Sequence, residues 1–341
     1  MDSIKKYGKS FGDLNSMKKN FFNNNDGMLK MADGMADILS AQPRRTACKV
    51  CGAPLGKPLY HSHAIGYIKC NNCDHLNSEY ADTDDFAAKV YIEDDYSKNY
   101  SSSDRSEYEK RMNLIYVPKA EFLKDCLIKE GLTDLDILDI GAGCGYFVAA
   151  ARKLGMKAMG IEISDSEVTY GNSMSDEPVV KHVGLHDSID YLKETDSNVV
   201  SAIGVLEHLI NLKENTDAIK ENKNIKYVYA SVPMFSFSSA FEAAFQQCYN
   251  RHTGGTHTHL FSNESIRKMA DDMGFTVAYE WRFGSDINDL YRFIQVMLQK
   301  EGNPEFASYF AEKFVPLMDD LQLILDKSEF SSELHFILKR Q

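Results

Sequence analysis

Four cysteines stand in two closely spaced pairs, Cys48-Lys-Val-Cys51 and Cys70-Asn-Asn-Cys73, with 18 residues between the pairs. Each pair places two sulfur atoms about one turn apart, and a hairpin between the pairs would bring all four together. This spacing predicts a four-thiolate zinc site in a ribbon over residues 44–78, with free thiols or a redox pair as the alternative. Because so short a segment buries little core, the metal would supply the free energy of its folding.

The predicted ribbon is locally basic. It has one acidic residue, Asp74, and five basic ones: Arg44, Arg45, Lys49, Lys57 and Lys69. This excess of positive charge predicts a surface that helps to hold an anionic group of a substrate. The ribbon's three histidines are interpreted as surface residues, because four cysteines already complete a tetrahedral site: His61, His63 and His75.

A glycine-rich turn follows a buried strand in the segment Leu138-Asp-Ile-Gly-Ala-Gly-Cys-Gly-Tyr-Phe147. Glycines at such a turn let a ligand approach the backbone closely, where a β-carbon would clash. The register is G-x-G-x-G, with Tyr146 where a dinucleotide fingerprint has glycine. Glu162 ends the next predicted strand, 17 residues after Gly145, and a carboxylate there can accept both hydroxyl protons of a ribose. The pattern therefore indicates a ligand that contains a nucleoside.

Alternating strands and helices from residue 119 onward must position this turn. Helices are predicted at 119–129, 147–154 and 167–171, and strands at 136–140, 158–163, 179–183, 199–204, 226–232, 275–281 and 333–339. Such alternation implies βαβ units, and hence an α/β fold with a mainly parallel sheet covered by helices.

The other segments are assigned from their periodicity and composition. Residues 1–43 are predicted to be a mostly helical leader, because apolar residues recur at helical spacing after a break at 23–27: Met28, Met31, Met35, Ile38 and Leu39. Residues 79–118 are predicted to be a connector with tyrosine-rich helices. The main domain is predicted to span 119–341, with a helical insertion at 286–328.

The composition excludes several classes of protein. The chain has 341 residues, of which 43% are hydrophobic, so it is not disordered throughout. It has 38 basic and 50 acidic residues and a net charge of −12, which argues against a nucleic-acid partner. No stretch approaches 18 consecutive apolar residues and no secretory signal is visible, so we expect a cytoplasmic protein that does not span a membrane.

Four segments together resemble the class I S-adenosylmethionine (SAM) dependent methyltransferases. They are the glycine turn with Glu162, Val205-Leu-Glu-His-Leu209, Ala230-Ser-Val-Pro-Met234, and His257-Thr-His-Leu-Phe-Ser262 with the following Glu264-Ser-Ile and Asp272-Met-Gly-Phe275. The resemblance covers about residues 119–340. It implies a Rossmann-like seven-stranded sheet and SAM as the cofactor.

The resemblance also implies roles by position. Gly141, Ala142 and Gly143 would line the methionine part of SAM, and Asp139 would orient the loop or the amino group. Glu162 would bind the ribose, Ile163 would pack on the adenine, and Leu185, His186 and Asp187 would lie near the adenine edge. Val205, Glu207 and His208 would face the sulfonium and the substrate.

A general base is expected if the nucleophile is a hydroxyl or an acidic carbon, because its proton must leave. Histidine suits neutral pH, and the segment after the fifth predicted strand offers His252, His257 and His259 around the turn Gly254-Gly255. One of these is the predicted base, with His208 as the rival. Histidines with only structural hydrogen bonds remain the alternative.

A zinc ribbon followed by such a domain is similar to the C-methyltransferases of nucleotide-linked sugars, whose loop usually reads Y-H-E-H-L-x-Y-F-S. In that alignment His257 matches the second histidine, and Gly255 occupies the position of the first. The resemblance implies methyl transfer to a sugar, with a small nucleotide-linked molecule as the partner and homo-oligomers left open. A zinc-ribbon ribosomal RNA methyltransferase and a non-catalytic zinc-binding adaptor are the alternatives.

Overall fold

The computed structural model describes residues 3–9, 24–92, 104–253 and 257–341. Its strands are β1 (Ile4–Tyr7), β2 (Tyr60–Ser62), β3 (Ile65–Lys69), β4 (Leu76–Ser78), β5 (Asp136–Ile140), β6 (Lys157–Glu162), β7 (Val180–His182), β8 (Val199–Ile203), β9 (Tyr227–Pro233), β10 (His259–Leu260), β11 (Phe275–Phe283) and β12 (Glu333–Arg340). Its α-helices are α1 (Asn25–Ser40), α2 (Asp84–Ala87), α3 (Arg105–Arg111), α4 (Val117–Lys129), α5 (Tyr146–Lys153), α6 (Asp165–Ser173), α7 (Ser188–Glu194), α8 (Leu212–Glu221), α9 (Phe237–Ala244), α10 (Asn263–Met273), α11 (Asp286–Lys300), α12 (Pro304–Phe314) and α13 (Met318–Lys327).

The large sheet has the order β1-β11-β12-β9-β8-β5-β6-β7. Its pairs are parallel except for the two that β12 makes, with β11 and with β9. The predicted α/β Rossmann-like fold with a mostly parallel sheet is therefore confirmed. The strand order reverses at β5, which lies between β6 and β8, and the carboxyl ends of strands at such a reversal border a crevice.

The strand β1 differs from the mostly helical leader that the sequence predicted, and it adds an eighth strand beside the seven that were expected. It pairs in parallel with β11, from Ile4 opposite Tyr279 to Tyr7 opposite Arg282. The Lys6 ammonium lies 3.9 Å from the ring centroid of Trp281. Because the free edge of β11 supplies these partners, a four-residue segment without helical or strand periodicity becomes a strand.

The ribbon is part of a second, antiparallel sheet with the order β10-β4-β3-β2. The strand β10 comes from the segment after β9, so main-domain residues complete the sheet that 44–78 begins. Cys48, Cys70 and Cys73 lie in the same apolar cluster as Phe261 and Ile266. The ribbon thus shares its sheet and its core with the main domain rather than standing apart from it.

The helical predictions agree with the described residues in most places. Helix α1 buries Met35, Ala36 and Leu39 on one face, and the insertion at 286–328 forms α11, α12 and α13. Within the predicted connector, residues 93–103 lie outside the described part of the chain. No helix in the described ranges is both long and apolar enough to cross a membrane.

Candidate functional site

A cleft of about 350 Å³ opens at the carboxyl ends of β5, β6 and β8. One side is formed by the glycine loop, residues 141–145, together with the end of β6. The other side is formed by the segment after β8 and by Tyr91 of the connector. The two sequence motifs that follow β5 and β8 therefore line one cleft.

The glycine loop takes backbone conformations that side chains disfavour. Gly141 has a φ of +62° and Gly143 a φ of +53°. A β-carbon on Gly141 would lie 2.8 Å from the Val205 side chain, so the residue must also lack one for packing. The amide of Ala142 donates to the Ile161 carbonyl at 3.0 Å and fixes the loop to β6.

The carboxylate of Glu162 holds this loop in place. Its Oε2 accepts from the Gly143 amide at 2.9 Å, and its Oε1 accepts from the amides of Ile163 and Ser164 at 2.7 and 3.0 Å. The side chain is buried and lines the cleft. Oε1 already accepts two bonds, whereas Oε2 accepts one and keeps lone-pair capacity for a ligand, so the predicted ribose contact is compatible with this arrangement.

Asp139 lies at the bottom of the cleft beneath the loop. Its Oδ1 accepts from the Ser201 hydroxyl at 2.6 Å, and burial raises the pKa of the carboxyl to about 7. This bond joins Asp139 to β8, and the role of orienting the loop or the amino group that the resemblance implied stays a prediction.

Glu167 is a cleft residue that the sequence analysis did not single out. Its carboxylate oxygen lies 3.5 Å from where a Gly143 β-carbon would stand, and burial, with Glu162 nearby, raises its pKa to about 7. Ser164 caps α6 by accepting from the Glu167 amide at 3.4 Å. The Ser-x-x-Glu pattern at this helix start was a signal that could have located it.

The predicted adenine residues separate into two groups. Ile163 and Leu185 line the cleft. His186 and Asp187 do not: His186 Nε2 lies 3.0 Å from the Asp84 carboxylate, and Asp187 accepts from the Gly184 amide at 2.7 Å. These two side chains shape the segment between β7 and α7.

The predicted acceptor side brings together a group of three side chains, Glu207, His208 and His257, which we call the histidine group. One donor atom of each lies within 4.8 Å of the others. Val205 and His208 line the cleft directly, whereas Glu207 and His257 lie behind them. His208 Nδ1 is 3.0 Å from the Tyr91 hydroxyl, and the rings of His208 and His257 have centroids 5.0 Å apart.

Burial shifts the pKa values of two members of the histidine group, Glu207 and His257. Burial raises the pKa of Glu207 to about 8, and burial with His208 nearby lowers the pKa of His257 well below its usual value. His257 Nδ1 lies 3.2 Å from the His252 carbonyl, to which it donates. At neutral pH His257 is thus a neutral imidazole with its Nε2 lone pair available.

The other two histidines of this segment have partners away from the cleft. His252 Nδ1 lies 3.0 Å from Glu242, whose carboxylate also accepts from the Thr253 amide. His259 Nδ1 lies 2.9 Å from His75 Nε2. His75 is completely buried, so the interpretation of that residue as a surface residue was wrong: it packs beneath α10, against Ser265. Of the predicted turn, Gly254 and Gly255 lie outside the described residues.

The four cysteines of the ribbon converge as their spacing predicted, and we call them the cysteine cluster: Cys48, Cys51, Cys70 and Cys73. All four sulfurs lie within 4.8 Å of one another. The Cys48–Cys73 and Cys51–Cys70 sulfur distances are 3.7 and 3.5 Å. A tetrahedral zinc ion with bonds of about 2.3 Å would set its sulfurs about 3.8 Å apart, so the donor set fits zinc.

The basic residues of the ribbon are mostly neutralised by acids. Arg45 and Lys49 both pair with Asp82, Arg44 pairs with Glu79, and Lys69 pairs with Asp74. The expectation that the ribbon offers a positively charged surface for an anionic group is therefore corrected, because four of its five basic side chains are paired with acids. Local charge counts missed this, because Asp82 and Glu79 lie just beyond the ribbon in the sequence.

One protein-family profile matches this chain. Residues 108–280 match the profile of a family described as a methyltransferase domain, which is about half of the chain. A search of curated proteins found no match.

Solved structures with a similar fold include three methyltransferases. Magnesium protoporphyrin IX methyltransferase from Synechocystis PCC 6803 has a TM-score of 0.41 and 13% identity, covering 68% of this chain and 87% of that one. A SAM-dependent methyltransferase from Archaeoglobus fulgidus has a TM-score of 0.41 and 18% identity, covering 65% and 94%. Phosphoethanolamine N-methyltransferase 2 from Haemonchus contortus has a TM-score of 0.38 and 18% identity, covering 63% and 51%.

Proposed function

The chain belongs to the methyltransferase-domain family of class I SAM-dependent enzymes, and from this membership we propose that it methylates a small molecule, a nucleotide-linked sugar. The product would enter a surface polysaccharide or a glycosylated metabolite. The observation that carries the proposal is that the glycine loop, Glu162, His208 and Tyr91 line one cleft.

The glycine-loop side of the cleft would bind SAM. Gly141, Ala142 and Gly143 would lie against its methionine part, while Glu162 would accept from the ribose hydroxyls and Ile163 would pack on the adenine. Glu167 has a buried carboxylate beside this loop and would lie near the same cofactor. Fixed carboxylates and backbone amides of this kind would hold SAM, which supplies an electrophilic methyl group, in one orientation.

The histidine group would bind the acceptor and help to remove its proton. Among the predicted bases, His208 is favoured because it lines the cleft, with His257 and Glu207 directly behind it. His252 has a buried partner in Glu242 and would instead shape the loop that carries His257. The acceptor's own phosphates would find little free positive charge on the ribbon, so its sugar hydroxyls are the groups to be recognised.

The cysteine cluster would hold a structural zinc ion that fixes the acceptor side. The ribbon reaches the segment of His257 through several bonds: the Ser78 amide donates to the Thr258 carbonyl at 2.8 Å, and the Ser262 hydroxyl donates to the Cys73 carbonyl at 3.0 Å. A zinc ion that closes the ribbon would therefore also position His257.

Calorimetric titration with SAM and with its demethylated product tests the proposal first. We expect micromolar binding of both, followed by methylation of nucleotide sugars detected by mass spectrometry. Folded protein that binds neither ligand would contradict the methyltransferase function. Transfer to RNA, with no transfer to any sugar, would contradict the acceptor class.

A further inference from the structure

The histidine group has the donor set of a metal site. Two imidazoles and one carboxylate, with one donor atom each, lie within 4.8 Å of one another. In the described part of the chain, the cysteine cluster is the other group of at least three such donors. The two clusters differ in ligand type, since one is all thiolate and the other has none.

Hydrogen bonds direct the histidine rings so that each offers Nε2. The His252 carbonyl can only accept, so His257 Nδ1 carries the proton and its Nε2 has the lone pair. The Tyr91 hydroxyl oxygen, 3.0 Å from His208 Nδ1, can hold that ring in the same tautomer. His208 Nε2 then lies 3.9 Å from the Glu207 carboxylate. Metal-binding histidines are usually oriented by such a partner on the other ring nitrogen.

Glu207 supplies an independent sign that a cation belongs here. Its side chain is 5% exposed, and its Oε2 has no hydrogen-bond partner among the described residues. Lys119 lies near enough to influence the carboxylate, but it makes its ion pair with Glu333, at 3.9 Å. A buried carboxylate oxygen without a partner is costly, and a bound cation would satisfy it.

We propose that Glu207, His208 and His257 bind a divalent transition-metal ion whose remaining coordination positions face the cleft and hold an oxygen atom of the acceptor. With its Nε2 on the ion, His208 would position the acceptor through the metal, which makes a bound hydroxyl more acidic, instead of acting as the base itself. Imidazole donors favour ions such as zinc, iron or nickel over magnesium and calcium, which prefer oxygen ligands. Three protein ligands leave positions open, and His208 places the ion at the cleft wall. The acceptor part of this inference rests on the proposed methyl transfer, whereas the metal part does not.

Zinc content of the full chain tests the metal part without any activity measurement. After equilibrium dialysis against micromolar zinc chloride, wild-type protein should hold about two zinc ions per chain, one in each cluster. His257→Ala and Glu207→Gln should each hold one. His61→Ala, which removes an exposed histidine outside both clusters, should still hold two.

Two results would overturn the inference: one ion per chain in the wild type, or two ions in both histidine-group variants. The SAM affinity of each variant shows that it is folded, and Glu207→Gln serves if His257→Ala does not fold. Failure of the proposed methyl transfer can be distinguished from failure of the metal site. In that case the wild-type protein would bind two ions but give no methylated product from any acceptor.

Discussion

The two walls of the cleft are built in different ways. The glycine-loop wall comes from one continuous stretch, residues 139–167, in which a strand, a turn, a helix and the next strand follow one another. The histidine wall is assembled from Tyr91, from Glu207 and His208, and from His257, and these stand far apart in the sequence. The first wall is held mainly by bonds within one βαβ unit, made by the backbone and by the Glu162 carboxylate, and the second depends on the ribbon.

This difference predicts that a substitution can impair one wall without impairing the other. The glycine loop is fixed by bonds to β6, such as Ala142 to Ile161, which need nothing outside the unit. His257 sits beside β10, which pairs with β4 of the ribbon. Substitutions that disrupt the ribbon should therefore leave SAM affinity nearly unchanged but lower turnover.

The largest effect is expected from Gly143→Asp. It puts a side chain at a φ of +53° and a new carboxylate beside Glu167, in the place proposed for the methionine part of SAM. We expect SAM affinity to fall by more than about 100-fold, since the loss combines blocked contact with charge repulsion. Calorimetric titration measures this loss.

Gly155→Asp is the matched control for backbone strain. Gly155 has a φ of +80°, and a β-carbon there meets open space outside the cleft. This variant should bind SAM normally, although it is less stable. Equal losses of affinity in the two variants would show that strain, rather than the cleft, explains the first result.

Cys70→Ser tests the dependence of the histidine wall on the ribbon. Loss of one thiolate should release the zinc ion and loosen β4, and with it the segment of His257. We expect turnover to fall by more than about tenfold, while SAM affinity changes less than about threefold. Cys126→Ser, at a buried cysteine outside the cluster, should keep zinc and turnover. Parallel loss of SAM binding in Cys70→Ser would contradict the independence of the two walls.

Glu162→Gln tests the glycine-loop wall with a smaller change. The amide keeps the shape of the side chain but lacks the charge that would strengthen the bonds to the ribose hydroxyls, and its NH2 group cannot accept from the backbone amides that one of the Glu162 oxygens bonds. Hydrogen bonds to a charged group contribute about 2 kcal/mol, so SAM affinity should fall by about tenfold or more. Turnover at saturating SAM should change much less. Affinity within about twofold of the wild type would remove the ribose role.

The sequence predicted the glycine-loop wall well because its signals are local. The turn, Glu162 and the strands around them lie close together in the sequence, and Glu162 accepts from the Gly143 amide of the loop, while its expected contact with a ribose stays a prediction. The cysteine cluster was predictable for the same reason. Both patterns are fixed by covalent spacing, which a single sequence displays directly.

The histidine wall could be predicted only in part. His208 and His257 were both candidate bases, but nothing local shows that their rings lie 5.0 Å apart or that Tyr91 meets His208. The pairing of His75 with His259 was missed because it joins positions 184 residues apart. The strand β1 was missed because only the edge of β11 makes that segment extended.

Tyr91→Phe is expected to have the smallest effect on turnover. It tests the contact between the connector and the histidine wall. The change removes only the hydroxyl that lies 3.0 Å from His208 Nδ1 and leaves the ring packed edge-on against that histidine. A single hydrogen bond contributes about 1 kcal/mol, so turnover should fall about fivefold, with SAM affinity unchanged.

Tyr108→Phe is the matched control, because the hydroxyl of Tyr108 donates to the Cys144 carbonyl in the glycine loop, at 3.1 Å. If Tyr108→Phe lowers SAM affinity and Tyr91→Phe lowers turnover, the connector supports both walls through separate tyrosines. Unchanged turnover in Tyr91→Phe would mean that the orientation of His208 is set by other contacts.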